Sequence, residues 1–230
     1  MRFYFIISFL FFSFLSQILS EENFIAYPKA YDSGKFDYVI GLEISRLPNS
    51  IGEDMFEQLP IIALDIRYGL PNDFSLTANL RTIFLTNSIS LGTQWSFASG
   101  HVSASIGSNF MYFYGFANFS SMDVSAGGYS VIPSFTVGYA MKNLYLTFKG
   151  EASVMTLLSR QVSDIEVETS KFKLYGWRGS FIIEQPVYGD TYLLLAFKIN
   201  YTGYHYPSWL AFTTTKHWLL IPEFQFGFRL

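Results

Sequence analysis

The chain contains no cysteine, only eight prolines in 230 residues, and charged side chains at just 14 % of positions. Each shortage closes off a class. Without cysteine there is no disulfide framework and no acylated N-terminal Cys of the lipoprotein type. With half the residues hydrophobic and a fifth aromatic, too little polar surface remains for an ordinary soluble domain. Long apolar runs are missing too. Beyond the first twenty residues, Asp, Glu, Lys, Ser, Thr or Gly interrupts every hydrophobic segment before it reaches eighteen positions, which disfavours a helical membrane protein. The net charge is −3, and Lys and Arg are scattered singly, so no basic patch exists for a nucleic-acid partner.

What is present is alternation. A chain that is apolar on average but alternates locally suits a sheet with lipid on one face and polar groups on the other. In a bilayer only a closed barrel offers that, because an open edge would leave backbone amides unpaired in hydrocarbon. Ahead of this pattern, Arg2 precedes the apolar run from Phe3 to Leu15, followed by Ser16 to Ser20 and then Glu21 and Glu22. This predicts a secretory signal peptide over residues 1–20, a polar periplasmic leader over 21–34, and an all-β, closed antiparallel transmembrane up-and-down barrel over 35–230.

Ten strands are predicted: Lys35 to Ser45, Ile62 to Tyr68, Phe74 to Phe84, Ile89 to Phe97, Val102 to Tyr114, Tyr129 to Tyr139, Leu144 to Val154, Lys171 to Glu184, Leu193 to Tyr201 and His217 to Leu230. Eight and twelve strands are the alternatives. Ten fit best, because they give roughly 21 residues per strand and connection where each crossing needs ~10. Pro133 cannot donate to a ladder and marks an edge or bulge. In the eighth strand Phe172 and Leu174 are out of phase with Trp177, Phe181 and Ile183, which calls for a bulge near Gly176. The connections Leu70 to Asp73, Ser99 to Gly100, Met141 to Asn143 and Gln185 to Asp190 are tight. Arg46 to Leu59, Gly115 to Gly128, Thr156 to Ser170 and Thr202 to Lys216 read as long loops on the opposite side, with short Thr86 to Ser88 as the exception.

This phasing turns six acids inward, Asp37, Glu43, Asp65, Glu151, Glu184 and Glu223, and six bases, Arg67, Arg81, Lys149, Arg178, Lys198 and Arg229. Matched charges close a lumen through ion pairs, and about ten strands leave a bore narrow enough for side chains to fill. The expectation is a structural, surface-loop barrel with a largely filled, charge-balanced lumen. The alternative is a narrow pore or small-solute porin-like channel lined by the same residues, although an ion-selective pore would more naturally show rings of one sign.

Phe224, Phe226, Phe228 and Leu230 alternate to the final residue, and this segment resembles the C-terminal insertion signal of the bacterial outer-membrane β-barrel superfamily. Arg67 to Leu76, through Tyr68, Gly69, Leu70, Pro71, Asn72 and Asp73, is similar to the Tyr-Gly-Leu-x-Asp turn of such barrels, although tight-turn geometry alone also accounts for its Gly, Pro and Asn. The resemblance implies export to a Gram-negative outer membrane, insertion by barrel-assembly machinery, and contact with membrane lipid and lipopolysaccharide. Tyr112, Tyr114, Tyr129, Tyr139, Trp177, Tyr201 and Trp218 fall near strand ends, where an interfacial girdle is expected.

Enzymes also occupy such barrels. His205-Tyr206-Pro207-Ser208 is similar to the His-x-Ser of lipid A deacylases, but the spacing differs and no orienting carboxylate is apparent. An omptin-like site would need Asp164, Glu166 or Glu168 to meet His205 or His217 across the rim. The expectation is no enzyme, no metal site and no cofactor. A secreted lipocalin-like barrel, its aromatics facing inward around a lipid, is the rival from another class.

Overall fold

A computed structural model describes residues 24–48, 58–83, 85–119, 122–162, 165–188, 191–209 and 218–229. The predicted signal peptide, Asp164, His217 and the terminal Leu230 lie outside the described residues. Ten strands are present: β1 (Phe36–Arg46), β2 (Gln58–Gly69), β3 (Phe74–Ile83), β4 (Thr86–Ser99), β5 (Val102–Phe119), β6 (Met122–Met141), β7 (Leu144–Val162), β8 (Ile165–Tyr188), β9 (Thr191–Thr202) and β10 (Leu219–Arg229). Each pairs antiparallel with its neighbours in sequence, and β1 pairs with β10 to close the barrel. The seam runs from Ile40↔Phe228 to Ser45↔Glu223.

The outer face is apolar because period-2 alternation turns one side of every strand outward. Ile40, Leu42 and Ile44 on β1, Phe110 on β5 and Phe224, Phe226 and Phe228 on β10 are all exposed. One ladder row carries Phe148, Phe181, Phe197 and Phe224 across four adjacent strands. The opposite phase, including all twelve predicted inward charges, faces the interior. The Leu70 to Asp73 turn closes with Asn72 and Asp73 at φ 60° and 63°, a left-handed pair that short Asx side chains tolerate.

Three expectations change. Gly115 to Gly128 and most of Thr156 to Ser170 are strand, not loop: the β5–β6 ladder runs on to Phe119↔Met122 and the β7–β8 ladder to Val162↔Ile165. Strands β5 to β8 reach 18 to 24 residues, where about ten cross a membrane. Glycine, serine and acidic residues give these extensions a loop-like composition. Thr86 to Ser88 likewise belongs to β4. Pro133 lies inside β6, where it interrupts the ladder to β7 without shifting register; the shift comes at Tyr129/Ser130, with Thr156 Oγ1 donating to the Tyr129 carbonyl. The bulge expected near Gly176 sits beside it, at Tyr175, between Ser153↔Gly176 and Val154↔Leu174.

Candidate functional site

The twelve inward charges separate into two levels. Asp37, Arg67, Glu184 and Arg229 lie at the mouth where both ends of the described chain meet the barrel, and they line no chamber. Two of them, Glu184 and Arg67, grip the N-terminal segment. Glu184 accepts hydrogen bonds from the backbone N–H groups of Ile25, Ala26 and Tyr27 at 2.7–2.9 Å. Arg67, fully buried, donates to the carbonyls of Tyr27 and Lys29 at 2.7 Å and sits 4.5 Å from the Tyr31 ring centre. Arg229 pairs with Asp37. Phe24, Tyr27 and Tyr31 are buried; Phe24 and Tyr27 meet Tyr145 of the wall at ring separations of 5.5 and 5.0 Å, and Tyr31 packs on Phe24 at 5.2 Å. Residues 24–31, within the segment read as a polar leader, thus pack into this mouth. Their aromatic spacing, 24, 27 and 31, was the available signal, and the acidic and lysine residues around it masked that signal.

The other eight charges form a network at mid-barrel. Glu43 pairs with Lys198 at 2.5 Å and with Arg81 at 3.4 Å, while Arg81 reaches Asp65 at 2.7 Å. Asn79 and Gln225 donate to the two Asp65 oxygens. Across the lumen Lys149 pairs with Glu151 at 2.7 Å, and Arg178 lies 3.7 Å from Glu151 and 4.0 Å from Glu223. Four acids meet four bases. Inside a wall that excludes water from most of these groups, each charge is offset by a fixed partner.

Lys198→Met alone is expected to destabilise the barrel by about 3–5 kcal/mol, because it strips Glu43 of its shortest ion pair. Replacing Glu43 and Lys198 together by Met should fall within about 1–2 kcal/mol of the parent, since no charge is then orphaned. Denaturant midpoints of the two singles and the double decide this; simple additivity would show the pair to be uncoupled.

The mid-barrel network surrounds a chamber of about 190 Å³, with Ile25 and Ala26 of the N-terminal segment in its floor, Arg81, Lys149 and Arg178 on its walls, and Asn79, Ser90 and Asn109 as neutral lining. Its roof comes from the β9–β10 connection, expected to be displayed outside. Residues 203–209 instead turn into the lumen through one 3-10 turn, Tyr206–Ser208. Trp209 is buried with its indole N–H on Thr86 Oγ1 at 2.9 Å. His205 bonds Ser208 Oγ through Nδ1 at 2.8 Å and Glu223 Oε1 through Nε2 at 2.9 Å.

Glu223 is thus the carboxylate that the sequence reading did not find, eighteen residues from His205 and on the neighbouring strand. The three groups have the connectivity of a Ser-His-Glu relay. Ser208, however, is buried, bonds within its own turn and lies outside the chamber lining, so the arrangement anchors the roof to β10. Among the described residues, no group of three His, Asp or Glu is placed to hold a metal ion.

No protein-family model matches the chain. No curated protein matches it either. Among solved structures it is similar to the KdgM porin, with 10 % identity, a TM-score of 0.40, and coverage of 83 % of this chain and 96 % of that one. It is also similar to the translocator domain of the autotransporter NalP from Neisseria meningitidis, with 11 % identity, a TM-score of 0.43, and coverage of 87 % and 90 %. A third is outer-membrane expressed OmpT of Vibrio cholerae, with 9 % identity, a TM-score of 0.22, and coverage of 86 % and 98 %.

Proposed function

We propose that the chain is an integral, non-enzymatic outer-membrane barrel whose lumen is closed at rest. It is held in the bilayer by its outward side chains and presents the β5–β8 extensions beyond the membrane. The observation that carries this reading is the segregation of the two strand faces. Aromatic and aliphatic residues ring the outside, while eight mid-barrel charges neutralise one another within. A soluble lipocalin-like barrel would carry the reverse, with apolar groups inside and charges in water. The exposed Phe224, Phe226 and Phe228 suit reading by insertion machinery, and the outward aromatics suit contact with lipid and lipopolysaccharide.

Refolded protein is expected to float with liposomes and to migrate differently on gels before and after heating. In planar bilayers it should give no stable ion steps. Protein that stays soluble without detergent and fails to float would overturn the membrane assignment; regular conductance steps from the unmodified chain would overturn the closed lumen. The chamber itself favours a second reading, a narrow solute channel open only when floor or roof moves. Hydrolysis of lipid A by the purified barrel, lost in Ser208→Ala, would replace both.

A further inference from the structure

We propose that residues 24–31 are a releasable plug, hinged at Gly34, that seals one mouth of the lumen chamber. The proposal rests on the closed-lumen reading and adds what closes it. These residues join no strand ladder. Their backbone groups are met by two side chains of the wall, Glu184 and Arg67, so the segment can leave without breaking a single interstrand hydrogen bond of the barrel. β1 closes on β10 and β2 independently of it.

The wall is shaped to receive the segment. A Cβ on Gly138 of β6 would stand 2.5 Å from the Tyr27 ring and 2.6 Å from Pro28 Cδ, closer than carbon atoms can approach. That glycine leaves room for nothing except the plug. Between plug and β1, Gly34 adopts φ +87°, a conformation that only glycine takes without strain, and its N–H donates to the Gly69 carbonyl at 3.0 Å, so the hinge turns on the plug side of a point tied to β2. Ile25 and Ala26 of the same segment line the chamber as its floor. Displacing them would expose the ion-pair network to the solvent on that side.

Because the chain has no cysteine, a single thiol placed in the chamber reports on access without background. Ser134, on the inner face of β6, lines the chamber and serves as the site. In full-length refolded protein carrying Ser134→Cys, a small charged membrane-impermeant methanethiosulfonate should react slowly. Adding Gly138→Leu, which forces Tyr27 and Pro28 away, or deleting residues 24–31 should raise the rate at least about tenfold, the factor set by losing one charge-assisted hydrogen bond to the segment.

Heat-shifted gel migration shows that each variant still forms the barrel. Equal rates with and without the segment would overturn the proposal. So would collapse of the barrel on deletion, since the segment would then belong to the fold. Flotation of the same variants keeps the two readings apart. A labelling contrast in a barrel that does not float sinks the membrane assignment alone, and equal labelling in a barrel that floats sinks the plug alone.

Discussion

Gly41→Leu is expected to prevent the barrel from closing. Gly41 on β1 faces Gly227 on β10 across the seam that joins the first strand to the last. A Cβ there would overlap the Phe226 carbonyl oxygen and lie 2.8 Å from Gly227 Cα, both of them backbone atoms fixed by the ladder. No side-chain rotation relieves that contact, so the strands must separate. Overpacking alone costs about 1–3 kcal/mol, and every seam hydrogen bond broken to relieve it adds ~1 kcal/mol, with the freed amides then facing an apolar environment. The expected result is loss of the compact, heat-modifiable gel species and accumulation of unclosed chain. Gly41→Ala should show the same defect in milder form. A Gly41→Leu protein that folds with an unchanged denaturant midpoint would mean that the seam is looser than its register implies.

Phe197→Arg should be nearly as damaging, for a different reason. Phe197 sits on the outer face of β9 between Phe181 and Phe224, within the aromatic row, and is 48 % exposed. If that face meets hydrocarbon, a guanidinium there costs about 2–4 kcal/mol near the bilayer midplane. Phe197→Leu should cost less than about 1.5 kcal/mol. In water the same Arg substitution would be almost neutral, since half the side chain is already open. Unfolding titrations in lipid vesicles therefore separate the cases. An Arg variant as stable as the Leu variant would show that this face does not sit in lipid.

Much of the barrel was legible because its cause is local. Alternation along Phe36 to Arg46 or Leu219 to Arg229 follows from the two faces of a strand meeting different media, and a reader of the sequence sees both faces at once. The same period assigned all twelve inward charges to the interior. It could not separate the four at the mouth, two of which hold the plug, from the eight that form the mid-barrel network, because phase gives the face and not the height. The β5–β8 extensions were misread as loops because their glycine, serine and acidic residues resemble a loop composition. The plug was missed because its backbone is satisfied by Glu184 and Arg67, from strands 157 and 40 residues from Tyr27, a pairing that leaves no periodic trace. Glu223 escaped for the same reason, meeting His205 only after the β9–β10 connection folds inward.

The sequence by itself pointed to a closed antiparallel barrel, to ten strands as the best fit, and to which residues face out, because a strand whose two faces meet different media alternates and an open sheet edge leaves its amides unpaired. Only the tertiary structure decided what fills the bore. Whether balanced charges line a channel or grip a plug depends on which groups meet across the lumen. That is set by register around a closed ring and by the path of two segments outside the ladder, neither of which is written in the period of any single strand.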